Sequence, residues 1–165
     1  MQQQIHELFE ILADGGLDAA DLDALSAEVG KAAADADAYL AADSASGYPA
    51  FQARLGEAAM PLWQWVLLEQ LEGGMVFRGS TPAAIYAEIT DAFGEDELDL
   101  APEALAGLDD ATALQHIRAE LAPSYTLLDF AQPVDARRQT VLVRSAKVAR
   151  FAELASALGF SVAAI

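Results

Sequence analysis

Basic residues gather where the last helix of this chain should begin. Arg144, Lys147 and Arg150 lie in or beside its first turns, Ser145 stands at the capping position, and Arg137 and Arg138 sit a short way upstream. A helix start carries unpaired N–H groups and the positive end of the macrodipole, so cations there cost about 0.3–1 kcal/mol each. The same surplus of donors and positive charge suits phosphate or carboxylate. One reading is therefore an anion site at the start of a helix over 146–158, built from Arg144, Ser145 and Lys147 with Arg137 or Arg138 reaching in from the preceding loop. The other has these cations facing carboxylates of the chain's own body, with the Ser145 hydroxyl serving the helix backbone.

The histidines give a second candidate. His6 precedes Glu10 by four residues and His116 precedes Glu120 by four, so each pair shares a helix face. Two such faces brought together would offer two imidazoles and two carboxylates to a metal. Each pair is equally an exposed contact along one helix. The acidic run 95–99 lacks the spacing and the glycine of an EF-hand calcium loop. Asp14-Gly15-Gly16 and Gly73-Gly74-Met75 match neither phosphate-loop pattern, and no G-x-S-x-G or cysteine nucleophile exists. No catalytic residue and no cofactor is expected from these patterns.

Charge narrows the partners. Residues 1–136 hold four basic and 25 acidic residues, net −21, whereas 137–165 hold five basic and one acidic, net +4; the whole chain carries −17. Such acidity argues against nucleic acid, whose phosphates are bound by Lys and Arg, and against anionic membrane surfaces. It allows a basic protein partner. General solubility and a salt-adapted habitat would produce the same balance. Hydrophobic content of 54% excludes a disordered acidic tail. No apolar run approaches the roughly 20 residues of a membrane span. The N-terminus lacks signal-peptide regions and the chain lacks cysteine, which together point to the cytoplasm.

Periodicity supplies the elements that must position these residues. Ile5, Leu8, Phe9 and Leu12 mark a helix over about 3–14, closed by Gly15-Gly16. Asp18 should cap a second helix reaching Leu40, with a break at 44–47. A third follows Pro49, and Pro61 imposes a kink or a fresh start. Leu62 to Leu68 is apolar nearly all round and reads as the central core helix. Within it Trp63 and Trp65 point in different directions, so one packs centrally and the other faces a neighbouring helix or a second copy of the chain. Met75-Val76-Phe77-Arg78 reads as a strand, 82–93 and 110–121 as helices, and 125–130 with 139–144 as a hairpin. A helix over 146–158 capped by Ser145 and a strand over 160–165 complete the chain, with 140–144 and 160–164 running parallel. The fold class is α+β in one domain, 1–165. A helical portion over about 1–122 packs on a small mixed β-sheet completed by a ββαβ unit over about 123–165.

The stretch from Trp65 through Phe93, with Leu127-Leu128-Asp129, Val141-Leu142-Val143, Phe151-Ala152-Glu153-Leu154 and Leu158-Gly159-Phe160, resembles small bacterial families of domains of unknown function. The resemblance covers about half the chain and implies no activity. The residues themselves point to a non-enzymatic protein-binding module, and an inhibitor or immunity-type protein acting on a basic toxin or nuclease fits this charge. The alternative is a small-molecule binding domain or enzyme that holds an anion at the start of the last helix.

Overall fold

Short polar side chains start four of the eight α-helices among the described residues. The computed structural model describes residues 1–94 and 96–165. Helix α1 (Gln2–Ala13) ends at Asp14, which adopts the left-handed conformation at φ 47°. Asp18 caps α2 (Ala19–Ala34) by accepting the Asp21 amide hydrogen at 2.8 Å. The single helix expected to reach Leu40 is interrupted at Asp35. There the backbone is extended, and the side chain accepts from the Ala38 amide at 3.0 Å to start α3 (Ala36–Ala41). The alanine-rich stretch 32–38 has little apolar face to hold a continuous helix, so the local cap prevails. Helix α4 (Tyr48–Leu55) carries Pro49 in its first turn. Pro61 stands immediately before α5 (Leu62–Gln70), a fresh start rather than a kink.

Strand β1 (Phe77–Gly79) starts two residues later than Met75, where the sequence placed it. Thr81 then caps α6 (Pro82–Phe93), accepting from the Ala84 amide at 3.2 Å. Gly79 is required by the tightness of this turn, because a Cβ there would lie 2.8 Å from the Ile85 amide nitrogen. Of the acidic run 95–99, Glu95 lies outside the described residues, and 96–99 is irregular. A 3-10 turn at Pro102–Leu105, unforeseen in the sequence, buries Leu105. Asp109 caps α7 (Asp110–Leu121), accepting from the Thr112 amide at 2.8 Å. Strands β2 (Tyr125–Phe130) and β3 (Arg138–Arg144) form the expected hairpin. Ser145–Lys147 is a 3-10 turn leading into α8 (Val148–Ala157), and β4 (Val162–Ala164) closes the chain.

The four strands are ordered β1-β3-β2-β4 and every pairing is antiparallel. The α+β class is as expected, but the mixed sheet is not. β3 and β4 do run in the same direction, yet they lie on either side of β2. β1 already occupies the other edge of β3, with Phe77 opposite Thr140, so the free edge of the hairpin is that of β2. Side-chain alternation then splits the sheet into two apolar faces. Leu128, Phe130, Val141 and Val143 join the core formed with α1, α2, α4, α5 and α8. Leu127, Leu142 and Phe77 join the smaller core under α6 and α7. Phe130 is enclosed between Phe151 at 5.4 Å and Phe160 at 5.1 Å between ring centroids.

Candidate functional site

The arginines of the basic segment are all engaged by carboxylates of the chain itself. Arg144 Nε donates to both oxygens of Asp14, at 3.0 and 2.9 Å, and its guanidinium lies 4.5 Å from the Tyr125 ring centroid. The Tyr125 hydroxyl donates to the same carboxylate at 2.8 Å. Partial burial pushes the Asp14 carboxyl up, but these two hydrogen bonds prevail and leave it below its ordinary value. Arg150 grips Glu7 through two 2.7 Å hydrogen bonds and also reaches Glu153 at 3.2 Å. Arg138 makes a two-pronged contact with Asp129, at 2.7 and 2.8 Å. Arg137 pairs with Asp135 at 2.7 Å, which holds that carboxyl down at about 2. Among the described residues Lys147 has no carboxylate within 4.0 Å.

The proposed anion ligands do not converge. Arg138 and Arg144 are the two ends of β3, roughly 20 Å apart at strand rise. The Ser145 hydroxyl shares a 2.9 Å hydrogen bond with Thr126. It does not cap α8, whose start carries no side-chain cap at all. Nor do the histidine pairs meet. α1 lies against one face of the sheet and α7 against the other, so His6 and Glu10 are separated from His116 and Glu120 by the sheet itself. His6 instead stands 3.1 Å from Asp23, and Glu120 accepts the backbone N–H of Asp99. Among the described residues no group of three or more His, Asp or Glu is placed to hold a metal ion. Trp65 is buried edge-on to Tyr48, and Trp63 is half-buried edge-on to Phe160.

A different cluster emerges where β1 meets β3. Arg78 is 7% exposed although it is the last residue of an apolar run. Pairing opposite Gln139 turns it inward. Its Nε donates to Gln139 Oε1 at 2.8 Å, and its Nη1 donates to Glu72 at 2.8 Å. Its Nη2 is enclosed with no hydrogen-bond partner among the described residues. Gln139, 2% exposed, is in turn fixed by donating to the Phe130 carbonyl at 3.0 Å. The Arg78 backbone N–H donates to Glu88 at 3.1 Å. One turn back on α5, burial pushes the Glu69 carboxyl up to about 7, the Glu72 charge adds to this, and Arg78 opposes it. A cleft of about 250 Å³ opens here, bounded by Glu72, Gly73, Val76, Arg78, Glu88 and Arg137. The sequence signal for this site was slight: a single arginine and a single glutamine at inward positions of two strands.

No family model matches the chain, and neither does any curated protein or solved structure compared with it.

Proposed function

We propose that this protein is a non-enzymatic binding module that docks a basic protein partner through its acidic surface. The observation that carries the reading is the segment between Arg78 and Arg118, which contains no Lys or Arg. Asp96, Glu97, Asp99, Glu103, Asp109 and Asp110 are exposed on it, and among the described residues none of them makes an ion pair. Leu108, 36% exposed, lies amid these carboxylates and supplies an apolar anchor. Unpaired like charges close together along the chain repel each other and attract an oppositely charged surface, which speeds encounter and rejects wrong partners. The arginines of an anion site at α8, Arg144, Arg137 and Arg138, are meanwhile held by Asp14, Asp135 and Asp129. No helix among the described residues is long and apolar enough to cross a membrane.

Affinity capture from a lysate of the source organism tests this reading. The wild-type chain is compared with a variant carrying Asp96→Asn, Glu97→Gln, Asp99→Asn and Glu103→Gln. Proteins of net positive charge should be enriched on the wild type and lost from the variant, which keeps its fold because these side chains are exposed. Equal capture by both chains, or enrichment of acidic proteins only, would contradict it.

A further inference from the structure

We infer that the cleft beside Arg78 binds a small zwitterion of the free amino-acid type, its carboxylate on Arg78 and its ammonium between Glu72 and Glu88. The guanidinium is fixed from behind by Gln139, which leaves Nη1 and Nη2 as an end-on fork. Such a fork matches a carboxylate through two parallel hydrogen bonds. Glu72 uses half of it, through one oxygen on Nη1, while Nη2 stays unpaired. A buried charged donor without a partner is costly, and native structures rarely keep one without a reason. Glu72 is 56% exposed, so it can rotate off Nη1 towards the ammonium and surrender the fork to an incoming carboxylate.

The rest of the cleft specifies the other end of the ligand. A bare anion would meet Glu72 and Glu88 on the walls, where Arg137 is already held by Asp135, and Asp91 bounds the adjoining cleft that shares Gly73, Val76 and Glu88. Like charges at such range oppose a simple carboxylate or phosphate. An ammonium on the same molecule turns these groups into partners. Gly73, which bounds both clefts, adds no side chain to the wall. The inference stands independently of the acidic docking face, since neither Leu108 nor the carboxylates from Asp96 onward bound this cleft.

The test is calorimetric titration and thermal shift with glycine, leucine, glutamine, glutamate and arginine, with acetate and methylammonium as the two halves. Each is taken to about 10 mM, enough to read dissociation constants near 1 mM. At least one amino acid should bind and raise Tm, and both halves should bind at least ten times more weakly. Glu88→Gln keeps an acceptor for the Arg78 N–H but loses the charge, and should weaken binding about tenfold. That loss is about 1.4 kcal/mol. Arg78→Lys removes the fork and should do the same where circular dichroism shows the fold retained. The inference is overturned by no binding of any amino acid, by acetate binding as tightly as the best of them, or by unchanged binding in Glu88→Gln.

Discussion

Arg78 and Arg144 show how differently one side-chain type behaves in two settings. Arg144 lies on the surface, where water can replace Asp14 as its partner, so Asp14→Asn should leave urea-unfolding midpoints close to wild type at moderate salt. Arg78 has no such recourse. Gln139→Leu would leave its Nε without an acceptor inside the protein, and should destabilise by about 1–3 kcal/mol in the same assay. Glu69, pushed from 4.5 to about 7, gives a prediction in pH. Below about 4.5 it is protonated in both folded and unfolded states. From there to about 7 only the unfolded chain releases the proton, so stability falls as pH rises and then levels off. Glu69→Gln should therefore be more stable than wild type at pH 8 and equal to it at pH 4, read by thermal melts.

At the scale of elements, the sheet's two faces depend on a few contacts that permit no substitute. Gly79→Ala would force β1 and the start of α6 apart, since its Cβ would meet Ile85 N at 2.8 Å and Ala84 Cβ at 2.9 Å. Loss of cooperative unfolding or a marked fall in Tm is expected. Phe130→Ala would open a cavity between Phe151 and Phe160, costing about 3–5 kcal/mol by denaturant titration. Helices were legible wherever a cap and an apolar period agreed, as at Asp18. The break at Asp35 was hidden because alanine is compatible with helix throughout 32–38, and only the cap distinguishes the two outcomes. Strand order was hidden for another reason. Periodicity shows which residues alternate, but the edge open to β4 depends on where β1, some 60 residues earlier, has already paired. The Arg78 cleft was hidden with it, because Arg78 and Gln139 read as ordinary strand residues until that pairing sets them side by side.

For the whole molecule, the charge asymmetry of the two segments is largely resolved within the fold. The arginines of 137–150 return to Asp14, Glu7, Asp129, Asp135 and Glu153. What remains is a net −17 displayed outward, and its self-repulsion opposes the compact state. Added salt screens that repulsion and loosens the surface pairs together, and repulsion dominates at this net charge. Tm should therefore rise between about 0.05 and 0.5 M NaCl, ionic strengths that span most of the screening range. The same outward field should govern association. The most direct measurement of the central claim is the association rate constant with the most enriched captured partner, followed by stopped flow across that salt range. An electrostatically steered encounter predicts a fall of at least tenfold as salt rises, with the four-site Asp96/Glu97/Asp99/Glu103 variant starting slow and changing little. A rate that is independent of salt, or equal for the two chains, would contradict the acidic docking face.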